Sequence, residues 1–200
     1  MTKYYSQNDE AKFILDFFPV EFKGRLVEIG AYNPEIFSNS RNLIEMGWGA
    51  ILVEPSKQCY EVIEKFYIGN ENVEVINAAI GPNNGELDFW DSAGACATGN
   101  NLHYERWKNN TNDYVKIKVP MIDWKTFTRL YGNKFDFISI DTEGMDYEIL
   151  KQINLFDSGV QLICIEYTYN SQEIYDYIKS YGFDLLLQNG ENIIMSRNIL

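Results

Sequence analysis

Residues 25–42 read RLVEIGAYNPEIFSNSRN, and this stretch decides the fold. Residues 26–29 form a short run of strand-forming residues, which a glycine and an alanine end. The pair Asn33 and Pro34 then predicts a helix start, with Asn33 as the N-cap and Pro34 as the first helical residue. A strand, a turn of small residues and a helix N-terminus together form a corner that binds anions and nucleotides.

The glycine content of this corner separates two classes of nucleotide ligand. Gly30 is the only glycine between residues 25 and 46, so the G-x-G-x-x-G pattern of dinucleotide-binding proteins is missing. Its absence disfavours a nicotinamide cofactor. Glu28, two residues before the glycine, suits a ligand that carries hydroxyl and ammonium groups. The alternative is an ordinary strand–turn–helix unit of an α/β protein without a ligand.

Apolar strands and helical segments alternate along most of the chain. Strands are predicted at 26–29, 50–54, 73–77, 135–141 and 160–166, and helices at 8–18, 34–46, 56–67, 123–131, 145–153 and 171–181. This alternation predicts an α/β fold with a mostly parallel sheet covered by helices on both faces. Residues 183–188 and 193–197 predict a C-terminal antiparallel hairpin. The whole chain, residues 1–200, is expected to form one domain.

The segment 78–119 departs from this alternation and predicts an insertion. A strong turn at 81–85 lies between two short apolar runs, which predicts a hairpin. Residues 91–112 are rich in Gly, Asn, Ser and Thr without a clear period, which predicts a long functional loop or lid. Residues 115–119 alternate as a strand, which Pro120 is expected to end.

Charge limits the partners of the chain. It has 17 Lys and Arg against 29 Asp and Glu, a net charge of −12. No local cluster of basic residues offsets this charge, so the chain repels a phosphate backbone. Neither nucleic acid nor a membrane is therefore expected as a partner.

The cysteines indicate the compartment and argue against two kinds of site. Cys59, Cys96 and Cys164 are odd in number and far apart, with no C-x-x-C pair and no Cys/His ligand set. A disulfide framework and a zinc site are therefore not expected, and a reducing compartment is. With no apolar run of signal-peptide or membrane-spanning type, we expect a cytoplasmic protein.

Acidic residues end the predicted core strands. Glu54, Asp141 and Glu166 each follow an apolar run, and Glu28 comes just before the end of another. The carboxyl ends of parallel strands share one edge of a sheet, where ligands of open α/β sheets bind. Carboxylates gathered there repel one another unless a cation or hydroxyl groups meet them. Each acid alone could instead be a helix N-terminal charge or part of a solvated loop.

Taken together, these motifs resemble the FkbM-type methyltransferases. The matching segments are VEIGAYNP (27–34), GWGAILVEPS (47–56), NAAIG (77–81) and FDFISIDTEGMDYEIL (135–150), within residues 22–168. The resemblance implies a Rossmann-like class I fold with a seven-stranded sheet and S-adenosylmethionine as cofactor. It also implies methylation of a hydroxyl group on a small-molecule or glycan acceptor, such as a sugar, a glycan or a secondary metabolite.

The resemblance also implies which residues hold the cofactor: Glu28, Gly30, Ala31, Tyr32, Asn33, Glu54, Pro55, Ser56, Asn77, Ala78 and Asp141. Glu54 would bind the ribose hydroxyls and Asp141 would face the sulfonium. Two positions depart from the family: Glu28 where Asp is usual, and Pro34 where Gly is common. Because Pro34 removes a backbone donor, the alternative is a non-catalytic cofactor-binding or scaffold protein with this fold.

Transfer to a hydroxyl requires the removal of its proton. His103, the only histidine, is the first candidate base, and Glu143 and Asp141 are the alternatives. A divalent metal is the other route, possible but not expected, with hard oxygen ligands from Asp141, Glu166 and Asn170. The sequence does not predict the oligomeric state.

Overall fold

The computed structural model describes residues 3–110 and 113–197. Ten strands form within these residues: β1 Arg25–Ile29, β2 Gly49–Val53, β3 Val73–Ile76, β4 Ala79–Ile80, β5 Gly85–Asp91, β6 Val115–Ile122, β7 Phe137–Ile140, β8 Leu162–Glu166, β9 Asp184–Gln188 and β10 Asn192–Ser196. Seven of them form the main sheet in the order β3-β2-β1-β7-β8-β10-β9. Only β10 and its neighbours pair antiparallel, so the predicted parallel sheet with a C-terminal hairpin is confirmed.

Helices cover both faces of the main sheet, as predicted. They are α1 Glu10–Phe17, α2 Arg41–Glu45, α3 Lys57–Phe66, α4 Asn101–Trp107, α5 Trp124–Tyr131, α6 Asp146–Leu150, α7 Leu155–Ser158 and α8 Ser171–Ser180. Side chains of α1, α2 and α3 pack on one face in a cluster with Leu26 and Leu52. Those of α5 to α8 pack on the other face with Val27 and Ile29. The alternation of apolar side chains along β1 therefore fills two cores at once.

The insertion forms a second, three-stranded sheet rather than the predicted hairpin. Its order is β4-β6-β5, with β6 parallel to β4 and antiparallel to β5. The runs on either side of the 81–85 turn thus both pair with β6 and not with each other. Pro120 lies inside β6 and does not end it. It is tolerated because β4 pairs only with Met121 and Ile122, which leaves Pro120 a partner strand on one side.

Two further predictions are corrected. Residues 31–40 contain no helix, and α2 begins only at Arg41, after Ser40. The Asn33 side chain does accept the N–H of Glu35, as a cap would, but this bond closes an isolated turn.

The polar segment 91–112 is not one long loop, because α4 forms within it. Thr111 and Asn112 of that prediction lie outside the described residues.

One buried acid ties the N-terminal helix to the C-terminal hairpin. Glu10 is fully buried, and its Oε1 accepts hydrogen bonds from Asn189 Nδ2 at 2.7 Å and Asn192 Nδ2 at 3.1 Å. Positions about 180 residues apart are thereby joined beside the main sheet.

None of the helices in 3–110 and 113–197 combines the length and the apolar character that a membrane span requires.

Candidate functional site

A cavity of about 590 Å³ opens at the carboxyl ends of the parallel strands. One wall comes from the turns after β1, β2, β7 and β8, and the other from the second sheet and α4. The cavity thus lies at the edge where open α/β sheets bind ligands. Its lining carries both apolar groups, such as Phe89 and Trp107, and several acids.

Gly30 makes the first turn of the cavity wall possible. Its φ is +85°, and a Cβ built on it would lie 1.7 Å from the carbonyl oxygen of Asp141. Its N–H donates to Val53 O at 2.9 Å, while Asp141 N donates to Ile29 O at 2.9 Å. The ends of β1, β2 and β7 therefore meet around a position that only glycine can occupy.

Glu54 is held by backbone N–H groups at the next turn. Its carboxylate accepts hydrogen bonds from Tyr32 N at 2.9 Å and Ser56 N at 2.7 Å. Asn77 fixes this turn by donating its amide to the carbonyl oxygens of Glu54 and Pro55. Burial raises the pKa of Glu54 to about 7. Each carboxylate oxygen keeps an acceptor site, so the pair can still receive two hydroxyl groups of a diol.

Glu28 lies on β1 but serves the loop behind the cavity. Its carboxylate accepts hydrogen bonds from Asn39 N at 2.8 Å and from the Ser40 hydroxyl at 2.5 Å, and Ser38 adds a longer one. Burial raises its pKa to about 7. These contacts hold residues 38–40 in a tight loop, which explains why the predicted helix start at Asn33 does not form.

Three acids line the far end of the cavity. Burial is the main cause that raises their pKa values, to about 8 for Asp141, about 9 for Glu143 and about 10 for Glu166, and repulsion from neighbouring acids, Asp146 among them, adds to it. Among the described residues that line the cavity, Arg106 is the only basic one. A positively charged ligand would offset the repulsion between the carboxylates and would favour their ionised forms.

His103 is brought to these acids by the insertion. Its Nε2 lies 3.1 Å from Glu143 Oε2, and its Nδ1 lies 3.1 Å from the Tyr169 hydroxyl. Only 2% of the residue is exposed. Burial, and then the charge of Arg106, lower the pKa of His103 to about 4, so the imidazole is neutral.

Two side chains pin the insertion to the turn after β7. Thr98 donates its hydroxyl to Glu143 O at 2.8 Å, and Asn100 donates its amide to Gly144 O at 2.6 Å. Asn100 also caps α4 by accepting the N–H groups of Leu102 and His103. His103 is therefore held beside Glu143 by these hydrogen bonds to the backbone of residues 143 and 144. The contact between the His103 and Glu143 side chains is not the only one that positions them.

Cys96 completes a cluster that the sequence did not predict. The ligand atoms of Cys96, His103 and Glu143 all lie within 4.8 Å of one another. The expectation that no Cys/His set exists is wrong in this respect, because residues 96, 103 and 143 have no spacing that indicates a shared site. Cys59 and Cys164 are buried.

The cavity gathers most, but not all, of the predicted site residues. Those that line it are Gly30, Tyr32, Glu54, Pro55, Ala78, His103, Asp141, Glu143 and Glu166. Those that do not are Glu28, Ala31, Asn33, Ser56, Asn77 and Asn170. The sequence also missed lining residues such as Gln7, Thr142 and Tyr167, which carry no motif.

The chain was compared with known proteins. The model of the methyltransferase FkbM domain family matches residues 28–185. The methyltransferase FkbM structure from Methylobacillus flagellatus KT aligns with a TM-score of 0.60 at 12% identity, over 87% of this chain. This chain spans 43% of the length of that protein. No curated protein matches.

Two further solved structures share the fold over nearly all of the chain. A precorrin-6y C5,15-methyltransferase from Geobacter metallireducens GS-15 aligns with a TM-score of 0.52 at 12% identity, over 99% of this chain and 90% of that one. A ribosomal protein L11 methylase from Lactobacillus delbrueckii subsp. bulgaricus aligns with a TM-score of 0.50 at 10% identity, over 94% and 77%. At such identities the likeness concerns the fold alone.

Proposed function

The chain belongs to the FkbM methyltransferase domain family, and from that premise we propose that it transfers a methyl group from S-adenosylmethionine to a hydroxyl group of a sugar, glycan or secondary metabolite. The family and the fold imply methylation that depends on S-adenosylmethionine. One observation carries the finer proposal: a single cavity joins the Glu54 turn to the His103–Glu143 pair. A cofactor held at the first end would present its methyl group toward the second.

The residues of the cofactor end fit S-adenosylmethionine. Glu54 offers two carboxylate oxygens, already oriented by Tyr32 and Ser56, to the two ribose hydroxyls. Gly30 lets the turn approach closely, and Asp141 places a carboxyl group at the cavity wall that a positively charged ligand would help to ionise. When bound, S-adenosylmethionine supplies a methyl group on a positively charged sulfur. The acid-rich wall would stabilise that positive charge.

The acceptor end holds a group that can take up the hydroxyl proton. The neutral imidazole of His103 can accept a proton at Nε2, and above the raised pKa of Glu143 its carboxylate, 3.1 Å away, would stabilise the resulting charge. Tyr169 orients the ring through Nδ1. Asp141 lies at the same wall and is the alternative base. With S-adenosylmethionine bound, the hydroxyl proton would pass to His103, or to Asp141 as the alternative, while the acceptor oxygen takes the methyl group and S-adenosylhomocysteine leaves.

The position of Pro34 favours an enzyme over a non-catalytic scaffold. Pro34 is buried in the loop that Glu28 braces, and it does not line the cavity. The backbone donor that proline lacks is therefore not missing from the cofactor turn, where Tyr32 N and Ser56 N make their bonds to Glu54.

The aromatic side chains of Trp107 and Tyr167 at the cavity wall suit an acceptor with a sugar ring.

The experiment is a methyl-transfer assay with S-adenosylmethionine and a panel of sugars, glycans and phenolic or alcoholic metabolites. Glu143→Gln and His103→Gln should each lower turnover about 100-fold or more, because general base catalysis contributes about 10² to 10⁴. Both variants should bind S-adenosylhomocysteine with near wild-type affinity in calorimetry, since neither touches the Glu54 turn.

The matched control is Glu148→Gln, which changes an exposed acid on α6 that pairs with Lys151. It should leave turnover unchanged. Amines are added to the panel as competing acceptors, and methylation of amines without any methylated hydroxyl would contradict the hydroxyl assignment. Cofactor binding without turnover on any acceptor would favour the scaffold.

A further inference from the structure

We propose that Cys96, His103 and Glu143 bind one zinc ion, with its fourth position open to the cavity. Three separate segments supply these residues: the loop before α4, α4 itself and the turn after β7. Their ligand atoms, one sulfur, one nitrogen and one carboxylate oxygen, lie within 4.8 Å of one another. Zinc with three protein ligands and one open position is the usual arrangement of a catalytic site.

The distance between two of the ligand atoms fits one shared ion. His103 Nε2 and Glu143 Oε2 are 3.1 Å apart. Zinc–nitrogen and zinc–oxygen bonds of about 2.1 Å at a tetrahedral angle place the two atoms roughly 3.4 Å apart. The pair therefore needs almost no movement, and because all three ligand atoms lie within 4.8 Å of one another, the sulfur of half-buried Cys96 has to approach by at most about an ångström.

Besides the spacing of the three groups, the unpaired state of one buried ligand atom points to a bound ion. Within residues 3–110 and 113–197, His103 Nε2 has no aligned hydrogen-bond partner, although it is buried. Its contact with Glu143 lacks the direction of a hydrogen bond. Leaving such an atom unsatisfied costs about 1 to 3 kcal/mol. A cation between Nε2 and the carboxylate would satisfy both groups.

The surroundings of His103 are those of a metal ligand. Its other ring nitrogen, Nδ1, lies 3.1 Å from the Tyr169 hydroxyl. Such a partner fixes the tautomer and turns the Nε2 lone pair toward the metal. Thr98 and Asn100 hold the backbone of Glu143 and Gly144 against the start of α4. The site is therefore positioned before any ion arrives.

Ligand chemistry selects zinc over magnesium or calcium. A thiolate and an imidazole favour a borderline or soft ion, whereas magnesium and calcium require oxygen ligands. Asp141, Glu166 and Glu191 also line the cavity, and Arg106 is the only basic residue of its described lining, so the field attracts a cation. This site differs from the hard-oxygen set of Asp141, Glu166 and Asn170 expected from the sequence.

The catalytic consequence, but not the binding, rests on the proposed function. An acceptor hydroxyl in the fourth position would lose its proton more readily, because a bound metal lowers the pKa of a coordinated hydroxyl. His103 would then act as a metal ligand and not as the base. The proton would pass to Asp141 or to water in the cavity.

The experiment measures binding without cofactor or acceptor. Wild-type protein treated with chelator and then dialysed is titrated with Zn²⁺ in a calorimeter, and bound metal is counted by mass spectrometry. One equivalent per chain is expected. Titration with Co²⁺ should give a thiolate-to-cobalt charge-transfer band and the visible spectrum of a four-coordinate ion.

Variants separate this site from general metal binding. Cys96→Ser should abolish the charge-transfer band and weaken Zn²⁺ binding at least tenfold, and His103→Gln should weaken it to a similar extent. Tyr169→Phe should weaken it about tenfold, as loss of an outer hydrogen bond does. The control Cys59→Ala, a buried thiol on α3, should retain the band and the affinity.

A stoichiometry far below one, or a charge-transfer band that persists in Cys96→Ser, would overturn the proposal. Circular dichroism of each variant shows whether it is folded. Zinc binding without any hydroxyl methylation would instead contradict the proposed function and leave the metal site standing.

Discussion

The two ends of the cavity are built in different ways. At the cofactor end, Glu54 is held by backbone groups at the ends of neighbouring strands, and its bond to Ser56 spans two residues. At the acceptor end, Thr98 reaches Glu143 across 45 residues, and His103 reaches Tyr169 across 66. The first end thus follows from strand pairing, whereas the second depends on how an inserted sheet docks. Changes at the two ends should accordingly have separable effects.

The largest effect is expected from Gly30→Ala, which breaks the cofactor end. The new Cβ would collide with Asp141 O at 1.7 Å while φ stays positive, so the ends of β1 and β7 must separate. We expect a loss of roughly 3 kcal/mol or more in the free energy of unfolding, measured by urea denaturation. The control is Gly69→Ala, with φ +81° and no atom within 4 Å of the new Cβ. It should cost only about 1 kcal/mol, and an equal loss in both variants would contradict the role of Gly30.

Thr98→Val should break the acceptor end while leaving the cofactor end intact. Thr98 is buried, donates to Glu143 O and accepts the N–H of Asn100, so valine leaves both backbone groups without their partner. We expect a loss of about 2 kcal/mol of stability and at least a tenfold loss of turnover. The affinity for S-adenosylhomocysteine should change less than twofold. Thr128→Val, a partly exposed threonine on α5 bonded within its own turn, is the control and should have neither effect.

The pH dependence of cofactor binding sharpens the description of the cofactor end. Ionised Glu54 accepts both ribose hydroxyls, whereas the protonated acid loses one acceptor. Since its pKa is raised to about 7, affinity for S-adenosylhomocysteine should increase as the pH rises through 7, by at most tenfold per pH unit. Calorimetry between pH 6 and 8 measures this slope. Glu54→Gln should flatten it, and Glu61→Gln, an exposed acid on α3, should not. A slope that survives in Glu54→Gln would assign the titration to another group.

The smallest effect is expected where the insertion stacks on itself. Trp90 and Tyr104 are stacked at 3.8 Å with an interplanar angle of 7°, which joins β5 to α4. Tyr104→Leu should cost about 1 kcal/mol and increase protease cleavage near residues 92–100. The control is Tyr60→Leu, which changes a partly exposed tyrosine on α3. Unchanged cleavage would show that the contacts of Thr98 and Asn100 alone hold α4 in place.

The same contrast explains what the sequence could predict. The alternation of apolar strands and helices was sufficient to predict the main sheet. The position of acidic residues directly after strands was sufficient to predict that Glu54 and Asp141 lie at the edge where the cavity opens. Both signals are local, because a strand end and its following residue are neighbours in sequence. The helix start at Asn33 failed because Glu28 holds residues 38–40 by contacts that no capping pattern includes.

The acceptor end could not be predicted from local pattern. His103 was predicted as a candidate base because it is the only histidine and falls in the polar segment, yet nothing indicated α4 or the role of Asn100 as its cap. Cys96 was missed because its neighbours in the cluster come from positions 103 and 143. The pairing of both β4 and β5 with β6 also depends on residues 24 to 42 positions apart, which a turn signal at 81–85 cannot show.

The bonds of Glu10 to Asn189 and Asn192 couple the docking of α1 to the hairpin of β9 and β10. The buried carboxylate keeps its partners only while the hairpin is in place, so the two segments should open together as one cooperative unit. Gln7, just before α1, lines the cavity. Local opening of the hairpin should therefore also disturb the lining of the binding cavity.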